Sequence, residues 1–137
     1  MIIVAISALS LLASCVSLGS TVTTETGLKY QIVVAGNGPA ALPGRSVRIH
    51  ETATLARGTL VYSTRTQNTP LTFLLGGNQV IAGVDEGVTG MKVGERRRLI
   101  VPPSLSKRSD YPPNIPPDAT LLYDIELVEI LPGEEPR

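Results

Sequence analysis

The stretch Leu74 to Pro103, LLGGNQVIAGVDEGVTGMKVGERRRLIVPP, holds a short helix that cannot stand alone, and this limits the fold more than any other feature. Val80, Val84, Val88 and Met91 recur at spacings of four, four and three, which puts them on one helical face, and Ile81 widens the stripe. Gly83, Gly87 and Gly90 lie inside the same segment, and an interior Gly costs about 1 kcal/mol relative to Ala. So short and glycine-rich a helix is unstable in water, so a sheet must hold its apolar face. The stretch is predicted to run from a strand end through a glycine turn, the helix and a second turn into a new strand.

The rest of the chain supplies that sheet. Leu28, Tyr30, Ile32 and Val34 alternate with Lys29, Gln31 and Val33, which predicts a strand with one buried face, ended by Gly36-Asn37-Gly38-Pro39. No helical pattern follows that Gly-x-Gly, so a turn is the better reading than a phosphate cradle. Ser46 to Leu55 is the next strand, with Val47, Ile49, Glu51, Ala53 and Leu55 on one face and Arg48, His50, Thr52 and Thr54 on the other. Glu51 therefore sits among apolar neighbours, where a carboxylate is costly unless partnered. Leu60 to Ser63 reads as a short strand, and Pro70 to Leu75 as one that is apolar on both faces. Arg96-Arg97-Arg98 reads as a solvated strand start rather than an anion site. Six prolines between Pro102 and Pro117 demand a long irregular loop. Ala119, Leu121, Tyr123, Ile125 and Leu127 then form the inward face of a final strand. Helices are too sparse for a parallel α/β sheet. The expected class is α+β, an antiparallel sheet of five or six strands curved around one short helix.

Composition narrows the function. Twelve basic residues balance twelve acidic ones, so there is no electrostatic case for a nucleic-acid partner. His50 is the only His and Cys15 the only Cys, which leaves no plausible metal site or catalytic triad, and no cofactor is expected. Ile2 to Ala13 is nearly all apolar but short of the roughly 20 residues that span a bilayer, and fits an export signal over residues 1–14. Leu12-Ala13-Ser14-Cys15 resembles a bacterial lipobox, with Cys15 as the lipidation site and a membrane contact through that anchor. No Lys or Arg precedes the apolar run, which leaves the translation start open. Val16 rather than Asp after the Cys favours the outer membrane by resemblance to enterobacterial sorting. The Ser- and Thr-rich residues 15–26 read as a tether, 27–131 as the domain and 132–137 as a loose tail.

The run LGGNQVIAGVDEGVTGMKVGERRRLIVP resembles the signature of FKBP-type peptidyl-prolyl isomerases. Further matches follow at IPPDATL, Ile115 to Leu121, and at Tyr123-Asp124-Ile125-Glu126-Leu127, with a weaker one at Val47 to Thr52. The resemblance implies a sheet wrapped on a helix, with the substrate's proline ring held between them. By resemblance Phe73 and Tyr123 are aromatic walls, Val80 and Ile81 match a pair whose Ile backbone N–H takes a substrate carbonyl, and Ile115 is a rim residue. The chain also departs from the family. Val84 stands where a Trp forms the pocket floor, which implies a deeper cavity, and Leu71 and Val61 stand where Phe is usual. The family's Tyr is here Glu51 and the Asp that partners it is here Tyr62; an exchange of the two groups predicts a Glu51–Tyr62 hydrogen bond. Independent drift of the two is the alternative. The rim Tyr of the proline-rich loop is displaced, with Lys107 nearest in count and Tyr111 a substitute.

Two functions fit. One is an isomerase of the cell envelope acting on proline-containing polypeptides by desolvating the imide in an apolar pocket. The other is a catalytically weak module of the same fold that grips prolyl or apolar segments as a chaperone or assembly factor.

Overall fold

The computed structural model describes residues 18–133, so the leader, Cys15 and the end of the tail lie outside the described residues. Among the described residues nine strands and one α-helix follow in order: β1 Thr21–Thr23, β2 Lys29–Val34, β3 Asn37–Ala40, β4 Ser46–Leu55, β5 Leu60–Ser63, β6 Leu71–Leu74, α1 Ala82–Val88, β7 Lys92–Val93, β8 Arg96–Val101 and β9 Leu121–Ile130. Seven of the strands form one antiparallel sheet in the order β1-β2-β8-β9-β4-β5, with β6 also pairing β4, while β3 and β7 pair separately. The α+β class and the antiparallel curve around one short helix are as expected.

The period-two reading of the long strands holds. Every residue from Val47 to Leu55 on the apolar face of β4 is buried, Glu51 included, as are Leu121, Tyr123, Ile125 and Leu127 across the ladder on β9. The helix lies over β8, and its glycines explain how closely. A Cβ on Gly83 would stand 2.5 Å from Val101 Cγ1, and one on Gly87 would overlap the Leu99 side chain. Val84, Val88 and Met91 complete the contact with the core.

Four local expectations need correction. Thr21–Thr23, read as tether, pairs with β2 as an edge strand, because three residues carry no period to detect. Most of Gly36–Pro39, read as a turn, falls in β3, which pairs with β7 through an irregular register. A bulge between Ile32 and Val34 turns Val34 outward, leaving it 47% exposed. In β6 only Phe73 is fully covered, and Thr72 is exposed, so that strand is buried on one face rather than two.

The arginine run is not uniformly solvated either. Arg98 is exposed and Arg96 grips Asp124 at 2.7 and 2.9 Å across the ladder. Arg97 points inward, pairs with the buried Glu95, lies 4.6 Å over the Tyr30 ring and donates to Gly87 O at 3.3 Å. Strand alternation forced one of three consecutive cations inside, and a carboxylate, an aromatic face and a helix-end carbonyl compensate it.

Candidate functional site

β4 has two partners on one edge. Its first half, Ser46 to Ile49, pairs with β6, and its second half, Thr52 to Thr54, pairs with β5. The gap between them falls at His50 and Glu51. Thr64 closes it: its Oγ1 lies 2.9 Å from both the Glu51 N–H and His50 Nδ1, while its N–H donates to Glu51 O at 3.0 Å. The half-buried His50 is thus tied to the strand edge.

That split brings the expected side chains together. Leu71 and Phe73 come from β6 on one side of Glu51, Val61 and Tyr62 from β5 on the other. The β4–β5 register steps from Ala53–Tyr62 to Thr54–Leu60, so Val61 is the extra residue of a bulge, and both Val61 and Tyr62 pack on the core. Phe73, Val84, Ile115 and Tyr123 are buried, each 3% exposed or less, and form the closed base. Val61, Tyr62, Leu71, Val80, Ile81 and Tyr111 are half-buried around it and form the mouth. Ile115 belongs to the base rather than the rim, and Lys107 is exposed. Val84 is 2% exposed, so the extra depth expected where an indole is missing is not open at that residue. Ile81 caps the helix with φ −61° and ψ 152°, and among the described residues its backbone N–H makes no hydrogen bond.

The polar part of the niche is a cluster of four groups. Tyr62 donates its hydroxyl to Glu51 Oε2, the bond expected if phenol and carboxylate have traded places. Arg108 Nη2 donates at 3.3 Å to the Tyr123 hydroxyl. Burial pushes the Glu51 carboxyl above its ordinary value, against the Tyr62 hydrogen bond and the Arg108 charge. Burial first, then the Glu51 charge, pushes both the Tyr62 and the Tyr123 phenols up. Arg108 and Thr64 had no sequence signal pointing to them. Counting along the loop stopped at Lys107, and Thr64 acts through a gap in strand pairing that no periodicity encodes.

Two concavities flank these residues. One of about 560 Å³ runs over the outer face of the sheet past Thr52, Arg98, Ile100 and Asp124 and reaches Tyr123, and one of about 670 Å³ lies beside Ser46, Thr72, Leu74 and Pro132 and reaches Phe73.

The profile of the family described as FKBP-type peptidyl-prolyl cis-trans isomerase matches residues 38–128, two strands short of the whole sheet. The chain belongs to the FKBP-type peptidyl-prolyl cis-trans isomerases. It is 44% identical over 110 residues to FK506-binding protein 4 of Dictyostelium discoideum, covering 80% of this chain and 30% of that one. It is 40% identical over 119 residues to peptidyl-prolyl cis-trans isomerase FPR2 of Saccharomyces cerevisiae, covering 85% of this chain and 88% of that one. The crystal structure of FkpA from Escherichia coli superposes with a TM-score of 0.76 at 34% identity, over 93% of this chain and 58% of that one. The chain thus spans most of one FKBP-type relative, 30% of the second and 58% of the third.

The FKBP fold here carries a carboxyl that titrates inside it, which gives a prediction. In the unfolded chain Glu51 returns to its ordinary value of 4.5, and in the folded chain it holds its proton to higher pH. Its contribution to stability is complete below 4.5 and is lost as pH rises through the raised folded value. Gln cannot lose that proton. The unfolding free energy of Glu51→Gln relative to the parent, from urea titrations, should therefore climb with pH across this window and then level off. A flat or falling difference would contradict the raised carboxyl.

Proposed function

We propose that this chain is a peptidyl-prolyl isomerase of the cell envelope that turns Xaa-Pro bonds by desolvating the imide. The barrier, about 18–20 kcal/mol, comes from amide resonance with separated charge, and uncatalysed exchange takes on the order of tens to hundreds of seconds. Water favours the polar planar form. A niche that removes water destabilises that form relative to the less polar twisted one, and no nucleophile, metal or cofactor is needed.

The observation that carries this reading is the apolar base of Phe73, Val84, Ile115 and Tyr123 beneath a half-exposed mouth, with the unengaged Ile81 N–H at its edge. A pyrrolidine ring would rest against that base, and the Ile81 N–H would donate to a substrate carbonyl. The envelope location rests on the apolar leader and on Cys15 in its lipobox-like setting. Loss of membrane sedimentation in Cys15→Ser is its check.

The test of activity is the rate of cis-trans exchange, by magnetisation transfer, on peptides that differ in Xaa. A saturable acceleration on at least one peptide is expected. Measurable binding of the same peptides with no acceleration for any Xaa would make the chain a prolyl-binding module instead.

A further inference from the structure

The niche keeps two buried polar atoms that its apolar role does not explain. Glu51 Oε1 and Arg108 Nε are both buried without a hydrogen-bond partner. Glu51 is 3% exposed and its other oxygen is taken by Tyr62. Arg108 is half-buried, holds the Tyr123 hydroxyl through Nη2, and makes no ion pair within 4.0 Å among the described residues. The guanidinium touches no carboxylate, although the Glu51 charge acts on it from beyond contact, and it leans on an aromatic wall of the niche; Nη1, neither bonded nor enclosed, is the donor left for a ligand. Buried polar groups in native proteins are rarely left without a partner.

We propose that Arg108 is a specificity-determining residue whose guanidinium takes the carboxylate of an acidic side chain next to the target proline. This rests on the prolyl reading of the niche given above. A guanidinium is a fork of fixed donors that matches a carboxylate better than it matches a single carbonyl. Neighbouring residues of a peptide lie only about 3.8 Å apart, so a proline seated against Tyr123 brings its neighbour's side chain within reach of the group bonded to that tyrosine. Glu51 is the opposite charge that acts on Arg108 from within the cluster, and burial, by raising its carboxyl above the ordinary value, weakens that competition without removing it. Lys107, exposed one residue earlier, has the same sign as Arg108, and Asp110, of opposite sign, is exposed and screened by solvent.

The test uses the full chain and two peptide sets, with Glu, Gln, Leu or Lys either before or after the proline. Both kcat/KM and equilibrium binding are measured. The parent should favour Glu over Lys by at least about fivefold in one of the two positions, the discrimination that a partly exposed ion pair supplies. Added salt should shrink the ratio. Arg108→Gln should bring it close to one, and Arg108→Lys, which keeps the charge but not the fork, should restore part of it, which a purely structural role would not do. An unchanged ratio in Arg108→Gln, or no preference for acid in the parent at either position, would overturn the assignment. A parent that turns over nothing but binds with the same Glu-over-Lys ratio would end the isomerase reading and leave Arg108 in place. Should Arg108→Gln not fold, the salt dependence of the parent and the behaviour of Arg108→Lys decide the matter.

Discussion

Truncating Phe73 to Ala is expected to lower kcat/KM on Xaa-Pro peptides by at least about tenfold, which corresponds to 1.4 kcal/mol of lost transition-state stabilisation. The ring is 3% exposed, faces inward from β6 opposite Val47, and forms a wall of the niche. Its removal opens the base to water, the one thing a desolvating site has to exclude. The same change should cost about 3–5 kcal/mol of stability, so rate and fold must be measured together. Phe73→Leu separates the two effects. It conserves most of the volume, costs under about 1.5 kcal/mol, and should still turn over more slowly than the parent. If the leucine variant matched the parent on every peptide, the aromatic wall would have no part in the chemistry.

Gly36→Ala should be the most damaging small substitution in the chain, at about 3 kcal/mol. An added Cβ would stand 2.6 Å from Val93 O, 2.7 Å from Glu95 N and 2.7 Å from Lys92 O, all of them backbone atoms. None can yield without moving the β7 turn, and that turn carries Glu95 to its buried pair with Arg97. Gly58 is the control. Nothing lies within 4 Å of a Cβ there, and only its φ of +96° opposes a side chain. Its replacement by Ala should cost about 1–2 kcal/mol. Urea midpoints for the two variants give the comparison, and equal losses would show that the close approach at Gly36 is relieved by local movement.

Much of this was legible before any coordinates. Alternation over ten residues exposed the inward faces of β4 and β9, and the Val80–Met91 stripe with its glycines required a sheet beside the helix. The Glu51–Tyr62 bond could be anticipated because a carboxylate on an apolar face needs a donor, and the residues that trade places name one. What escaped notice depends on position across the sheet rather than along the chain. Whether Arg97 faces in or out follows from the phase of β8, which three identical residues hide. Arg108 lies in a proline-rich loop without periodicity, so its approach to Tyr123 could not be read from spacing. The short strands β1, β3 and β7 have too few residues to show a pattern and exist only through their partners.

The order of the sheet has a consequence for biosynthesis. β9, the last strand among the described residues, lies between β4 and β8 and joins two halves that otherwise share no edge. Until residues 121–130 have left the ribosome, the nascent polypeptide has two disconnected ribbons and no central member to dock them on. Closure of the sheet is thereby postponed until that strand has been made, so the earlier ribbons stay separate for most of the time the ribosome spends on residues 18–120.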